Sequence, residues 1–384
     1  MSQKILWLCS WYPNDADPYD GDFIQRQAQA ASACQTIDVL HVHKLLKSKG
    51  PVVYQKKEIN ANLTEHIFYN KVKKENLFFK VAGLVKFFFI HKRFIRKNGK
   101  PDLIHVHIPM KAGVIALFCK WFYRIPYIVS EHYGFYNPYL EHHFKKRSFL
   151  YRFITRKIIK HASVLTTVSD SLGRDINNWV LKKEYVVISN VVNTGLFRLA
   201  SKPGHQLFQF IHISNMIPLK NVEGIIEAVE QLWLQRKDFK LVFVGELKQE
   251  YYELAGFKNL LNTVVFFEGV VAYEKVAVKI QESDSMIVFS DTESQSCVVL
   301  EALCCGKPCI VTNVGGVKEL IEDEVNGYKV NVRDTGDLVH KMNRMINEYE
   351  NFDKEKISTK ATALYSYETI GKQFADCYKK AGKF

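Results

Sequence analysis

The 384-residue sequence lacks an apolar run long enough to cross a membrane. The longest candidate, residues 77–94, is interrupted by Lys80 and Lys86. The start of the chain also lacks the basic segment, apolar segment and small-residue cleavage site of a secretory signal. These absences argue against a membrane-spanning or secreted protein, and we expect a cytoplasmic one.

The eight cysteines lack the spacing of a disulfide framework. Cys304, Cys305 and Cys309 have no histidine nearby and no two-pair spacing, so a zinc site is not indicated. We expect these residues to be small buried side chains in a reducing compartment.

Acidic residues are scarce in the first half of the chain. Residues 1–200 carry 31 Lys+Arg against 14 Asp+Glu, and residues 201–384 carry 22 against 26, so the net charges are +17 and −4. Such asymmetry predicts a polyanionic partner for the first half, either membrane headgroups or nucleic acid. Sequence patterns of the common nucleic-acid-binding modules are missing, so we expect no nucleic-acid partner.

Two stretches, residues 71–97 and 142–161, interleave Lys and Arg with Phe and Leu. Such stretches suit adsorption to an anionic cytoplasmic leaflet. The alternative, a core-facing helix with a solvated basic face, is equally open for either stretch alone. The summed charge of the first half favours the membrane.

Short apolar runs alternate with helical segments throughout the chain. The runs of the first half include KILWLC, TIDVLHV, DLIHVHI, YIVSE, SVLTTV and YVVIS, and those of the second include FQFIHIS, FKLVFVG, TVVFFEG, SMIVFSD and CIVTN. Nearly continuous apolar runs are typical of strands buried on both faces, and strand–helix alternation predicts a parallel, doubly wound α/β sheet. The length exceeds one hydrophobic core, and the turn-rich residues 200–206 separate two such domains.

Two acids occupy notable places in the second half. Glu293 follows the predicted strand MIVFSD, and Glu301 lies among apolar residues in CVVLEALCC, a helix predicted to begin near Ser296 and end at Gly306. A buried carboxylate is costly unless it is hydrogen-bonded. The two hydroxyls of a ribose diol could satisfy Glu301, but an acid that reaches solvent or an arginine is an equally open interpretation.

Lys220 lies in a strand-to-helix loop of the same domain, directly before a helix. A cation beside the free amides of a helix N-terminus is suited to binding a diphosphate. A carboxylate that accepts from a ribose diol, the helix amides and the Lys220 ammonium together indicate a site for a nucleoside diphosphate. The P-loop and GxGxxG patterns are absent, which argues against ATP hydrolysis and NAD binding.

These motifs resemble those of the GT-B-fold glycosyltransferases of family 4. The similar features are Glu293-x7-Glu301, the following GKP turn, the Gly315-Gly316 pair, Lys220 in HISNMIPLKN, Gly245 in LVFVGE, and Gly21 in an N-terminal glycine loop. The resemblance implies two Rossmann-like domains facing across a cleft. Residues 1–199 would be the acceptor-side domain and residues 207–365 the nucleotide-sugar-binding domain, while residues 366–384 would form a helix that packs back toward the N-terminal domain.

The resemblance also implies roles for individual residues. Glu293 would hydrogen-bond donor-sugar hydroxyls and Glu301 the ribose, and His132 would be a catalytic residue on the acceptor side. Besides Glu301, the implied donor-binding residues are Gly21, Asn215, Lys220, Gly245, Ser294, Gln295, Ser296, Cys297 and Val298. His105 and His107 are interpreted either as structural or as residues that contact the site residues without touching the substrate. No metal or other cofactor is implied, and Asp15 and Asp17 are interpreted as a solvated turn.

The chain departs from the family pattern at several positions. Asn215 replaces the family's donor-phosphate arginine, Ser294 replaces the glycine after the first Glu, and Gln295-Ser296 replaces an aromatic-Gly pair. The N-terminal loop has one glycine instead of two. These departures change the pocket around the donor sugar and leave its identity open.

The resulting expectation is a retaining glycosyltransferase on the inner face of the cytoplasmic membrane. It would move a sugar from a UDP- or GDP-sugar to a lipid-linked or glycan acceptor in bacterial cell-surface polysaccharide synthesis. Two alternatives remain: a sugar-nucleotide epimerase or hydrolase on the same fold, and, ranked lower, a nucleic-acid-binding protein.

Overall fold

The computed structural model describes residues 3–46, 53–72, 77–137, 140, 143–200 and 207–382. The chain divides into two compact units, Met1–Val191 with Tyr367–Phe384 and Val192–Ser366. Residues 192–199 therefore group with the second unit, whereas the sequence placed them in the first domain. Of the predicted linker, residues 201–206 lie outside the described residues.

The first unit is built on a single sheet flanked by helices. Its elements before the last helix of the chain are β1 (Lys4–Cys9), α1 (Asp22–Ser32), β2 (Thr36–Leu46), β3 (Val53–Asn60), β4 (Leu63–Val72), α2 (Leu77–Asn98), β5 (Leu103–His107), α3 (Ala112–Tyr123), β6 (Tyr127–Glu131), α4 (Phe149–His161), β7 (Val164–Thr167), α5 (Asp170–Trp179) and β8 (Val186–Val187). The strand order is β3-β4-β2-β1-β5-β6-β7-β8, and β3 pairs antiparallel with β4 while the other pairings are parallel.

Strand burial confirms the doubly wound arrangement that the apolar runs predicted. Every residue of β5 and β6 is buried. Alternate residues of β1 enter two different cores: Leu6 and Leu8 pack on one side of the sheet, and Ile5 and Trp7 on the other. Side chains of successive strand residues point to opposite faces, so both faces of this sheet are covered.

The antiparallel pair β3 and β4 was not predicted from the sequence. Strand β3 reads VYQKKEIN and is mostly exposed because it lies at the edge of the sheet. Charged residues on an edge strand discourage pairing with other chains, and they also remove the apolar pattern that identifies a strand. The predicted strand YVVIS is short in the structure, where β8 has only two residues.

The second unit repeats the strand–helix alternation with parallel pairings only. Its elements are β9 (Phe208–Ser214), α6 (Val222–Gln235), β10 (Phe239–Gly245), α7 (Gln249–Phe257), β11 (Val265–Phe267), α8 (Tyr273–Glu282), β12 (Ser285–Val288), α9 (Cys297–Cys304), β13 (Cys309–Thr312), β14 (Gly327–Val330), α10 (Thr335–Glu348) and α11 (Lys354–Tyr365). The strand order is β11-β10-β9-β12-β13-β14. The predicted helix between Ser296 and Gly306 is α9, with Ser296 as its N-cap residue.

The last helix of the chain, α12 (Tyr367–Ala381), belongs to the first unit. Its Tyr378 hydroxyl accepts a hydrogen bond from the Trp7 indole nitrogen of β1 at 3.1 Å. Gly371 of the same helix lies so close to α1 that a Cβ there would be 2.4 Å from the Ala30 carbonyl oxygen. The end of the chain therefore completes the core of the unit in which the chain begins.

Each sheet contains a point at which the strand order changes direction. In the second unit it lies between β9 and β12, which are neighbours in the sheet although three helices and two strands separate them along the chain. Ligands of open α/β sheets bind beyond the carboxyl ends of strands at such points. In the first unit the corresponding neighbours are β1 and β5.

Candidate active site

Lys220 and Glu293 lie on the two loops that leave this switch point in the second unit. Lys220 follows β9 and precedes α6, and Glu293 follows β12 and precedes α9. The Lys220 ammonium contacts Glu293 Oε1 at 2.5 Å, and the Ser290 hydroxyl donates to the same oxygen at 2.8 Å. The Glu293 side chain is only 10% exposed, so this ion pair is largely shielded from solvent.

The loops themselves are joined through their backbones. The amide of Asp291 donates to the carbonyl of Leu219 at 2.9 Å. The Asp291 carboxylate in turn accepts two hydrogen bonds from the Arg333 guanidinium, at 2.9 and 2.6 Å. These contacts keep the Lys220 loop and the Glu293 loop in a fixed relation. Arg333 was not singled out from the sequence, because 42 residues separate it from Asp291.

The Gly315-Gly316 pair packs directly against the backbone of Glu293. Gly316 donates its amide to the Glu293 carbonyl oxygen at 3.0 Å. Gly315 has a φ of 45°, and a Cβ at this position would lie 1.9 Å from the same oxygen. A side chain cannot occupy that space, so the glycine pair allows the Glu293 loop to reach its observed place.

Glu301 is 2% exposed in α9 and has a partner that the sequence did not indicate. The Tyr273 hydroxyl, at the start of α8, donates to Glu301 Oε1 at 2.8 Å. Tyr273 is 28 residues away in the chain, and its ring packs on Phe197 with centroids 5.1 Å apart. The tyrosine hydroxyl thus satisfies part of the hydrogen-bonding capacity of this buried carboxylate.

His212 is a second residue near the ion pair that sequence reasoning missed. It is buried near the end of β9, with Nδ1 2.8 Å from the Ile287 carbonyl oxygen and Nε2 2.8 Å from the Ser214 hydroxyl. Burial lowers the pKa of His212 to about 4, so the ring is neutral at physiological pH. Its contact with Ser214 supports the start of the loop that carries Lys220.

The remaining predicted donor residues of the second unit lie around the same switch point. Asn215 is exposed just beyond β9, and Gly245 ends the neighbouring strand β10 opposite Ser214. Ser296 is buried at the start of α9. The other members of this loop and of the first turn of α9 are partly buried: Ser294, Gln295, Cys297 and Val298.

Gly21 and His132 come together in the first unit. Gly21 is the N-cap residue of α1, and a Cβ there would lie 2.9 Å from the Trp11 backbone. Phe23, two residues later, packs against the His132 ring with centroids 5.1 Å apart. The glycine loop after β1 and the histidine after β6 are therefore neighbours, as their places at strand ends predict.

His132 belongs to a buried chain of histidines. Its Nε2 lies 3.0 Å from Nδ1 of His107, and the His105 ring lies 4.1 Å from that of His107. Burial lowers the pKa of His132 to about 3, so the ring is neutral. Nδ1 of His132 and Nε2 of His107 have no hydrogen-bond partner among the described residues. His107 therefore fixes one nitrogen of His132, and the other nitrogen is buried without a hydrogen-bond partner among the described residues.

Glu131, next to His132, was also missed from the sequence. It is fully buried and accepts hydrogen bonds from the amides of His132 and Tyr133, at 2.9 and 3.0 Å, and from the Tyr136 hydroxyl at 2.7 Å. Burial raises the pKa of Glu131 to about 7. This carboxyl shapes the turn that carries His132.

Two family models match the chain in succession. The model described as Glycosyltransferase Family 4 matches residues 58–196, and the model described as Glycosyl transferases group 1 matches residues 199–362. The chain belongs to the GT-B glycosyltransferases of family 4. It is an enzyme of the glycosyltransferase class.

Relatives of this family 4 glycosyltransferase include an uncharacterized glycosyltransferase, MJ1178, of Methanocaldococcus jannaschii. The two are 26% identical over 81% of this chain and 85% of the relative. The N-acetyl-alpha-D-glucosaminyl L-malate synthase of Bacillus anthracis is 29% identical over 54% of this chain and 60% of its own length.

Two solved structures share the fold of this family 4 glycosyltransferase. Sucrose-phosphate synthase from Thermosynechococcus elongatus has a TM-score of 0.80 at 18% identity and covers 98% of both chains. Anabaena Alr3699/HepE in complex with UDP has a TM-score of 0.74 at 18% identity and covers 98% of this chain and 99% of its own. At this level of identity the likeness establishes the fold alone.

Proposed function

We propose that this enzyme is a retaining glycosyltransferase that moves a sugar from a UDP- or GDP-sugar to a hydroxyl of a lipid-linked or glycan acceptor in bacterial cell-surface polysaccharide synthesis. The observation that carries the proposal is the Lys220–Glu293 pair at the switch point, beside the first amides of α9. In HepE, UDP is bound on the same fold. The roles of His132 and of each donor-side residue are part of the proposal.

In the proposed reaction the bond between the anomeric carbon and the diphosphate oxygen breaks. A bond to the acceptor oxygen forms on the same face, and the acceptor proton passes to the departing diphosphate. Lys220 and the amides near Ser296 stabilise the charge that develops on the diphosphate. Glu293 hydrogen-bonds the donor sugar and, through its contact with Lys220, keeps the ammonium in place before the donor arrives. No metal is needed in this scheme.

Glu301 is proposed to hold the ribose diol. Tyr273 already donates to Oε1, which fixes the orientation of the carboxylate within an apolar helix. Because the Glu301 carboxylate is already oriented, it loses little conformational entropy when the two ribose hydroxyls donate hydrogen bonds to it. Asn215, Gly245, Ser294, Gln295, Cys297 and Val298 are proposed to line the donor pocket, and Gly21 of the first unit is proposed as a further donor-binding residue.

The test is product analysis with UDP- and GDP-sugars, with and without lipid-linked and glycan acceptors. We expect nucleotide release only when an acceptor is present, with the anomeric configuration retained in the product by NMR. Lys220→Ala should abolish release, and Lys275→Ala, an exposed lysine of α8, should not. Release without acceptor would indicate a hydrolase and conversion to another sugar nucleotide an epimerase; either result contradicts the proposal.

The acceptor is proposed to be reached at an anionic membrane surface. Support comes from large apolar side chains exposed on three helices of the first unit: Phe89 (61%), Trp121 (56%), Phe122 (67%), Phe149 (73%), Leu150 (64%) and Phe153 (46%). The buried side chains of α4 are Thr155, Ile158 and Ile159, so its aromatic residues are not accounted for by the core. Within the described part of the chain, no helix is long and apolar enough to span a bilayer.

Basic residues accompany these apolar side chains. The ammonium of Lys157 lies over the Phe153 ring at 5.4 Å, and Lys145, Lys146 and Arg147 are exposed immediately before α4. Aromatic groups that insert at the headgroup level, flanked by cations that contact anionic lipid, are the usual composition of a peripheral membrane surface. The first half of the chain has a net positive charge, which would be attracted to anionic lipid headgroups.

Phe149→Ser combined with Leu150→Ser should reduce binding to phosphatidylglycerol vesicles by about 10-fold or more, because two apolar side chains no longer insert. Co-sedimentation measures the bound fraction. The matched control is Leu234→Ser with Phe257→Ser, which removes equally exposed side chains (80% and 88%) from the acidic second unit. Equal binding of both double variants and the parent protein would refute the membrane surface.

A further inference from the structure

Asp20, His41 and His43 form a cluster in the first unit that the proposed transfer reaction does not use. One possible ligand atom from each residue lies within 4.8 Å of the other two. His41 and His43 are two residues apart on β2, so their side chains share one face of the sheet. Asp20 reaches them from the loop between β1 and α1.

His41 has one ring nitrogen that is hydrogen-bonded and one that could coordinate a metal ion. It is 2% exposed, and its Nδ1 lies 3.0 Å from the Cys9 carbonyl oxygen, to which it donates. A proton on Nδ1 leaves the lone pair on Nε2, and Nε2 has no hydrogen-bond partner among the described residues. A buried imidazole nitrogen without a partner is costly, and a metal-bound histidine usually donates its other ring nitrogen to a carbonyl or carboxylate oxygen, as His41 does.

His43 has a hydrogen-bond partner in the loop that ends at Asp20. Its Nδ1 accepts from the side-chain nitrogen of Asn14 at 3.1 Å, because the Asn14 oxygen accepts from the amides of Ala16 and Asp17 at 3.0 and 3.2 Å. A metal ion bound at this nitrogen would replace the Asn14 donor. This loop ends at Asp20, which directly precedes the α1 cap residue Gly21. The contact between Asn14 and His43 therefore already joins the loop to strand β2 beside the cluster.

The charges around the cluster favour a cation. Asp17 acts electrostatically on both Asp20 and His43, and Lys111 acts on Asp20 and His41. Two carboxylates thus face one ammonium. Two imidazoles and a carboxylate are ligands preferred by divalent transition metals, whereas Mg²⁺ and Ca²⁺ favour all-oxygen sites.

We propose that Asp20, His41 and His43 bind a divalent transition-metal ion of the zinc class. Bonds of about 2.0–2.2 Å to zinc require the three ligand atoms, which lie within 4.8 Å of one another here, to close around the ion. The ion would fasten the loop that ends at Gly21 to strand β2. The ion would have a structural role and would take no part in the metal-free transfer reaction proposed above.

The test is titration of chelator-treated full-length protein with Co²⁺, followed by visible absorption, and with Zn²⁺, followed by calorimetry. We expect one ion per chain. His41→Ala and Asp20→Asn should each weaken binding by at least about 10-fold, because even the loss of a group that only hydrogen-bonds a metal ligand has an effect of that size. His340→Ala, which removes an exposed histidine of α10, should leave binding unchanged.

Asp20→Asn keeps the test valid if the buried His41→Ala variant does not fold, because Asp20 lies on a loop and its replacement is nearly isosteric. Absence of stoichiometric Co²⁺ binding would overturn the proposal. So would binding of equal strength in Asp20→Asn and the parent protein, since the ion would then sit elsewhere. The titration contains no sugar nucleotide or acceptor, so its outcome is independent of the transferase assay.

Discussion

Glu293→Gln should lower kcat by about 10²- to 10³-fold, the effect of removing one preorganised electrostatic contact from a transition state. The carboxylate accepts from Lys220 and Ser290 through a single oxygen, and the amide cannot balance the ammonium. Loss of the charge also releases Lys220 from its preset position. Steady-state kinetics with the best nucleotide-sugar donor measures the change.

Glu301→Gln is the companion variant and should act on binding instead. It should weaken UDP affinity by about 10- to 100-fold, since a hydrogen bond to a charged group contributes about 1.5–3 kcal/mol. Tyr273→Phe is the control, because it removes the tyrosine contact to Oε1 and keeps the carboxylate. We expect its effect on affinity to be the smaller one. Calorimetry that finds unchanged UDP and GDP affinity in Glu301→Gln would remove the ribose assignment.

Comparison of the two variants tests whether Glu293 acts on the donor sugar and Glu301 on the nucleotide. If Glu293→Gln weakens nucleotide affinity as strongly as it lowers kcat, Glu293 acts on the nucleotide and the assignment to the donor sugar is wrong. Lys220→Ala provides a further comparison. An ion pair that acts as one unit should give non-additive effects when both partners are changed.

Gly315→Ala should reduce activity by about 10²-fold or more, because displacement of a catalytic group by about 1 Å has an effect of that order. The new Cβ would lie 1.9 Å from the Glu293 carbonyl oxygen, so the loop must move. The positive φ of 45° adds strain of about 1–2 kcal/mol for any residue with a side chain. Kinetics and thermal unfolding measure the two effects.

Gly256→Ala is the matched control for this variant. Gly256 lies within α7, and the nearest atom to a Cβ there is 3.9 Å away. Alanine is favoured over glycine inside a helix by about 0.8–1 kcal/mol, so this change should preserve activity and raise stability slightly. Wild-type kinetics in Gly315→Ala would show that Gly315 does not set the position of Glu293.

The sequence by itself determined the family, the two parallel α/β domains and the positions of the two acids. Buried parallel strands are nearly continuous apolar runs, and β5, β6, β12 and β13 are fully buried in the structure. The glycine that ends α9, the N-cap at Ser296 and Lys220 directly before α6 are local features that a sequence specifies. Edge strand β3 was not predicted from the sequence, because its residues are mostly polar and it forms a strand by pairing with β4.

Only the tertiary structure decided which side chains meet. Tyr273 reaches Glu301 from another helix, Lys220 reaches Glu293 across 73 residues, and Gly315 is a glycine because a distant carbonyl fills its space. The cluster of Asp20, His41 and His43 forms because a loop folds over a neighbouring strand. Such contacts depend on strand order and loop path, which local propensity and periodicity do not encode.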